Sequence, residues 1–448
     1  MNFVFLQTRT AGALRTLLVA CLLVFGTAVH AKKGGGGGGG GGARDAGLPG
    51  ELLVQLRSTA ALGPLLAKYQ LSLVSQFGAR PIFRLKVVGL ADVNDKIAAL
   101  ELEPDVLEAE PNFVHQSPEA RRVSSWAIGE PSAFTAQWAP QALRLPEAHR
   151  LSTGAGVRVA VLDSGVDATH PALAGRLLPG FDFVDFDTDP SEVGSRAANL
   201  SFGHGTHVAG LVAMAAPGAK IMPLRVLDAE GMGNAWVLAE AMLHAVDPDR
   251  NPATNDGVQV INLSLGSTSR THILDTIGKL ATCAIPPVVL LPTDELADPG
   301  YNGDRDRCNA FSGAVVVAAV GNDASRAVRQ YPAAEGVYGL LPVGASNAGR
   351  QIAPFSNFGP WVDIAAPGDG ITSSVPGGGF GTWSGTSMAA PLAAGAAALV
   401  RALNPAISPR DITRRLIRTG ANLCGTRLRQ VDAAAALLNR PAVDQPCP

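Results

Sequence analysis

Cysteine is scarce in this chain, five among 448 residues, and no spacing between them resembles a zinc motif. An excess of basic charge is missing too. Lys plus Arg number 36 against 38 Asp plus Glu, for a formal net charge of −2, and no basic stripe gathers them, which argues against nucleic acid as a partner. Long apolar runs are few: beyond the one near the start, no stretch is expected to cross a bilayer. What is present describes a globular protein. Hydrophobic residues make up 47% and charged residues 17%, outside the range of disordered chains. The length accommodates more than one domain and a large core.

Arg9 and Arg15 precede an apolar run from Leu17 to Val29, and Val29-His30-Ala31 supplies small residues at a cut. This reads as a secretory signal peptide over 1–31, removed after Ala31, and predicts a secreted or periplasmic product. The run is short for a retained anchor. Leu18-Val19-Ala20-Cys21 resembles a lipoprotein box but lies in mid-run, so lipidation is the lesser reading. Loss of Cys21 with the signal leaves Cys283, Cys308, Cys424 and Cys447. An even count in an exported chain implies two disulfides with three possible connectivities. The local pairing, Cys283 with Cys308 and Cys424 with Cys447, is preferred because each bond closes a modest segment.

Residues 32–50 form a linker, with nine consecutive glycines from Gly34 to Gly42 and no capacity for a core. Residues 51–116 then read as a small folded unit: strand 51–57, helix 59–69, strands 71–77 and 81–88, helix 92–101, and strand 106–114. That β-α-β-β-α-β order is the ferredoxin-like arrangement. Residues 117–136 are polar and irregular, with Arg121-Arg122 and two prolines, and read as an exposed linker suited to proteolytic processing. From 137 to 440 strands and helices alternate, the pattern of an α/β domain with a parallel sheet and helices on both faces. Its strands include 157–162, 220–227, 258–263, 314–320, 340–345 and 361–365. Residues 441–448 are a tail.

The organising stretch is Gly385-Thr386-Ser387-Met388-Ala389-Ala390-Pro391, which leads into an Ala-rich helix ended by Asn404-Pro405. Pro391 is expected near the first turn, and Ser387 at the helix N-terminus, where free N–H groups favour a developing anion. On this stretch alone, Ser387 reads more readily as a helix cap. Parallel sheets place their sites beyond the carboxyl ends of strands. Asp163 and Asn322 end strands, and His204 and Ser387 begin helices, so four polar residues converge on one edge. Serine needs a base to become a nucleophile, histidine has a suitable pKa, and a buried carboxylate fixes the imidazole tautomer. An amide such as Asn322, with the Ser387 N–H, can hold an oxyanion.

Val159-Ala160-Val161-Leu162-Asp163-Ser164-Gly165-Val166-Asp167, His204-Gly205-Thr206-His207-Val208-Ala209-Gly210 and the Ser387 stretch resemble the three catalytic motifs of the subtilase family, in the family's order. The resemblance implies a serine endopeptidase with Asp163 as orienting acid, His204 as general base, Ser387 as nucleophile and Asn322 in the oxyanion hole. It makes His207 a packing residue and Asp167 a turn residue. Ile261-Asn262-Leu263-Ser264-Leu265-Gly266 resembles the substrate strand, where Ser264, Leu265 and Gly266 would pair with peptide backbone. Val106–Asn112 resembles the end of the family's inhibitory propeptide, which implies an autoprocessing zymogen inhibited by its own N-terminal unit. Three departures stand out. Val320-Gly321 precedes Asn322 where relatives show Ala-Gly. Ala172 follows His170-Pro171 where calcium-binding relatives have Asp, so the strong calcium site is expected to be missing, with no metal ligand assigned and no cofactor required. A polar insertion framed by Cys283 and Cys308 could shape substrate access. Asp323 could favour a basic side chain in the specificity pocket. Two other readings are a catalytically silent subtilase-fold scaffold and an inhibitor unit fused to a carrier.

Overall fold

Hydrophobic alternation near the start of the chain builds a four-stranded antiparallel sheet backed by two helices. In the computed structural model, which describes residues 46–122, 125–251, 253–284 and 307–447, these elements are β1 Gly47–Leu56, α1 Leu62–Tyr69, β2 Leu71–Gln76, β3 Ile82–Val87, α2 Val93–Leu100 and β4 Val106–Gln116. The strand order is β2-β3-β1-β4, the ferredoxin-like arrangement. Leu52, Val54, Phe83 and Leu85 face α1 and α2, meeting Leu65, Ile97 and Leu100. Residues of opposite parity point the other way: Leu53, Phe77 and Ile82 enter the core of the large domain, where Phe77 meets Trp236 edge to face at 5.8 Å. Burying each such side chain stabilises the contact by roughly 1.5–3 kcal/mol. β1 begins at Gly47, inside the stretch read as linker, because Gly47 pairs with Phe113 of β4. Its own composition carries no strand signal, and the partner strand supplies the order.

The large sheet has nine strands, in the order Ala421–Asn422, Arg429–Gln430, Ile364–Pro367, Leu340–Ser346, Val315–Ala319, Val260–Leu263, Arg158–Asp163, Lys220–Arg225 and Phe181–Asp182. All neighbours are parallel except the first pair. The central strands are continuous apolar runs because helices cover both faces. Val159, Val161, Val315 and Val317 pack with the helices His204–Ala215 and Thr386–Leu403. Ala160, Leu162, Val316 and Ala318 pack with the helices Ala235–Val246 and His272–Thr282. Gly395 lets the first two helices touch, since a Cβ there would overlap Ala215.

Three expectations change. The helix Thr386–Leu403 is long and apolar enough to cross a membrane, although the sequence reading found no such stretch after the leader. Here it is the buried central helix of the core. Described residues of the supposed exposed linker are partly buried: Ser117, Pro118 and Glu119 sit inside, at the start of a helical turn α3 Pro118–Arg121, and Ala127–Gly129 pairs with Phe380–Thr382. Its contacts are long-range, so local polarity misled. Pro391 is the sixth residue of its helix, not in the first turn. Its missing N–H frees the Ser387 carbonyl, and Ser264 Oγ fills the gap by donating to it at 2.9 Å.

Cys283 pairs with Cys308 and Cys424 with Cys447, at Cα separations of 5.5 and 5.6 Å. The leader 1–31, the glycine run and most of the insertion after Cys283 lie outside the described residues.

Candidate active site

Asp163 is the last residue of its strand, and His204 opens its helix. His204 Nδ1–H donates to Asp163 Oδ1 at 2.7 Å, and the same oxygen accepts Ser164 N–H at 2.8 Å. Gly203, the residue before the helix, sits at φ 89° and has no side chain to cap it. A carboxylate from a distant loop takes that role. Glu192 accepts from Gly203 N at 3.2 Å and Thr206 N at 2.9 Å, and from Thr206 Oγ1 at 3.0 Å and Ser164 Oγ at 3.1 Å. Desolvation, and secondarily the charge of Asp163, push the Glu192 carboxyl up to about 7 against the hydrogen bonds it accepts. The sequence reading missed Glu192, because nothing within its own stretch links it to the His204 helix.

Ser387 is the second residue of its helix and is fully buried. Asn322 lies just past the strand Val315–Ala319. Its Oδ1 accepts Thr386 N–H and Oγ1–H, both at 2.9 Å, and this aims Nδ2 into the site. Gly321 before it adopts φ 95°, and a Cβ there would overlap Gln330 and Asn357.

The sequence reading also missed Glu119, which occupies the centre of this group. Its Oε2 accepts the Ser387 hydroxyl at 2.6 Å and faces His204 Nε2 at 3.1 Å. Its Oε1 accepts Asn322 Nδ2–H at 2.8 Å. Ser387 Oγ also lies 3.2 Å from the Ser264 carbonyl. Burial alone would lower the His204 pKa, but the carboxylates of Asp163 and Glu119 outweigh it and raise it to about 10. The imidazole is therefore held as imidazolium, donating from both nitrogens. His207 is the opposite case. Burial, with the neighbouring His204 charge, lowers it to about 3, and its Nε2–H is shared between the Ile371 and Gly381 carbonyls. The Trp383 ring stands edge-on to both histidines, at 5.3 and 5.9 Å.

Ser264, Leu265 and Gly266, which the sequence reading placed within a strand, follow the strand Val260–Leu263 and border the site. Gly266 exchanges two backbone hydrogen bonds with Gln116, each 3.0 Å, while Val114–Gln116 of β4 pairs on its other side with Met232–Asn234. A Cβ on Gly266 would overlap Gln330 and Tyr331. Leu265 is buried in the core. Asp323 is exposed beside Asn322, with Oδ2 accepting the Asn357 amide at 3.0 Å. Among the described residues, Asp247, Asp249 and Asp256 bring carboxylate oxygens within 4.8 Å of one another. Asp249 Oδ1 accepts Asn251 N–H and the Thr254 hydroxyl, both at 2.9 Å, which ties that loop together.

A hydroxyl, an imidazole braced by a carboxylate, and an amide donor aimed at one point at the carboxyl edge of a parallel sheet place the chain in the class of serine hydrolases. The subtilase family model matches residues 154–440, and the chain belongs to that family. It is 31% identical over 375 residues to the thermophilic serine proteinase of Bacillus sp. (strain AK1), covering 80% of this chain and 79% of that one. It is 31% identical to thermitase of Thermoactinomyces vulgaris, over 66% of this chain and 92% of the relative. Among solved structures, fervidolysin of Fervidobacterium pennivorans aligns with a TM-score of 0.67 at 22% identity, covering 91% of this chain and 62% of its own. A protease of Pseudoalteromonas arctica aligns at 0.55 and 30% identity, covering 69% and 98%. The protein is thus a subtilisin-like serine endopeptidase that acts on peptide substrates.

Proposed function

We propose that the chain is an exported zymogen, and that its mature form cuts peptide bonds through an acyl-enzyme on Ser387. One observation carries this reading: Asp163, His204, Ser387 and Asn322, from four separate segments, all address one point, with Asp163 2.7 Å from the far nitrogen of His204. With the cleft open, a substrate strand lies along Ser264–Gly266 and pairs by main chain. His204 Nε2 takes the Ser387 proton as Oγ attacks the carbonyl carbon, and Asp163 stabilises the imidazolium. Asn322 Nδ2–H and the Ser387 N–H hold the oxyanion. The C–N bond breaks as His204 returns the proton to the leaving amine. Water, deprotonated by His204, then attacks the acyl carbon, the bond to Ser387 Oγ breaks as His204 returns the proton to that oxygen, and the acid leaves.

No cofactor enters these steps, and calcium is not required at the site. Residues 51–116 act as the inhibitory propeptide, supported by Gln116 occupying the substrate strand. The predicted leader 1–31 and the two disulfides fit an exported product. Asp323 at the cleft rim gives a preference for basic side chains, which a peptide-library profile without such a preference would remove.

The experiment is maturation of the purified precursor, wild type beside Ser387→Ala, followed by gel and intact mass. Wild type should shorten by the N-terminal unit while the variant stays whole. If both stay whole, casein hydrolysis after trimming decides between a protease that needs a helper and a silent scaffold. Equal shortening of both would refute self-processing.

A further inference from the structure

We infer that Glu119 is a built-in carboxylate ligand of the site, a side-chain plug that holds the intact chain inactive in the position a product acid would take. The inference rests on the protease reading above and concerns how that site is regulated.

The geometry begins with the backbone. β4 meets the substrate segment at one residue, Gln116, which exchanges two backbone hydrogen bonds with Gly266 in an isolated bridge. Ser117 then caps the turn α3 by accepting Ala120 N–H at 3.2 Å, with Pro118 at the first position. A Ser-Pro pair at a helix start favours that turn. The turn swings the main chain out of register and delivers the Glu119 side chain where a scissile carbonyl would lie.

The carboxylate then meets three side-chain donors of the site. Oε1 takes the Asn322 amide at 2.8 Å, and Oε2 takes the Ser387 hydroxyl at 2.6 Å and His204 at 3.1 Å. Gly385 leaves it room, since a Cβ there would overlap Oε1. A carboxylate is resonance-stabilised and a poor electrophile, so Ser387 has nothing to attack. Facing anions on both ring nitrogens, His204 keeps its proton and cannot act as a base. The plug thus blocks the space, the oxyanion donor and the base together. Three charge-assisted hydrogen bonds at a site shut off from water are strong enough to matter.

The test uses the full-length chain as wild type, Glu119→Ala and Glu119→Gln, treated with a fluorophosphonate serine probe. The initial labelling rate is read on the intact band alone, before any shortening, and trimmed protein is labelled in parallel. Wild-type precursor should label slowly, and removal of the carboxylate should speed labelling by about tenfold or more. Because Glu119→Ala could disturb the turn, the near-isosteric Glu119→Gln is followed by proton NMR of histidine-labelled chain at pH 8. The far-downfield His204 Nδ1–H resonance should lie at its imidazolium position in wild type and move upfield in Glu119→Gln, where the Nε2 proton is lost and Nδ1–H stays bonded to Asp163. Equal labelling rates in wild type and Glu119→Ala, or a His204 resonance unchanged in Glu119→Gln, would overturn the plug while labelling of trimmed protein leaves the protease reading intact. No labelling in any form, trimmed or whole, would overturn both.

Discussion

Glu110 is one point where the small α+β unit grips the large domain, and it makes that grip sensitive to pH. Its carboxylate accepts His272 N–H at 2.6 Å and Ile273 N–H at 3.1 Å, at the start of the helix His272–Thr282. Such a position favours an anion, yet burial is the larger effect and lifts the group from 4.5 to about 7. A carboxyl whose pKa is raised on docking contributes stability that is complete below about 4.5 and lost as pH rises through about 7. That lift corresponds to roughly 3 kcal/mol at most, and solvent screening at a half-buried residue brings it nearer to about 1–2. Docking should therefore weaken by roughly 5- to 30-fold between pH 4.5 and 8. Hydrogen exchange on full-length Ser387→Ala chain, corrected for intrinsic rates, reads this directly in peptides covering 106–116 and 272–282. Protection should fall across that range, and less steeply in Glu110→Gln. Glu335, also raised by burial, contributes its own slope, so the difference between the two chains is the informative quantity. Parallel slopes with and without the Glu110 carboxyl would refute the reasoning.

Removing the Asn322 amide with Asn322→Ala should lower kcat by about 10²–10³ with little change in KM, as measured on mature enzyme with a peptide anilide; a loss confined to KM would place Asn322 in ground-state binding instead. Ser264→Ala leaves the Ser387 carbonyl without a donor opposite Pro391, and should destabilise the protein by about 1–3 kcal/mol. An unchanged thermal midpoint would count against that account of the proline. Glu192→Ala strips the cap from the His204 helix and should reduce kcat about tenfold or more, with partial recovery in Glu192→Gln. Full activity in Glu192→Ala would show that the helix start positions His204 unaided.

What could be read in advance followed from periodicity and strand ends. Apolar runs such as Val159–Leu162 announce a covered parallel strand, and a residue at the end of such a run has few places to go, so Asp163 and Asn322 are directed to one edge before any geometry is known. His204 and Ser387, as helix starts, follow from the same alternation. The missed residues share one trait. Glu119, Glu192 and the early part of β1 take their positions from partners outside their own stretch, from about ten residues away for Glu192 to more than two hundred for Glu119, and their own neighbourhoods are polar or glycine-rich. Glu119 was hidden within a stretch whose arginines and prolines suggested an exposed linker. Pro391 was misplaced by one turn because its compensation, the Ser264 hydroxyl, comes from another strand.

The central claim is that Ser387 performs the attack. Its most direct test is kcat/KM of trimmed wild-type and Ser387→Ala enzyme on one peptide substrate, with the probe-modified residue located by mass spectrometry. The account predicts a loss of roughly 10⁵- to 10⁶-fold and a single modification on Ser387. Retention of wild-type hydrolysis by Ser387→Ala, or modification of another serine, would contradict it.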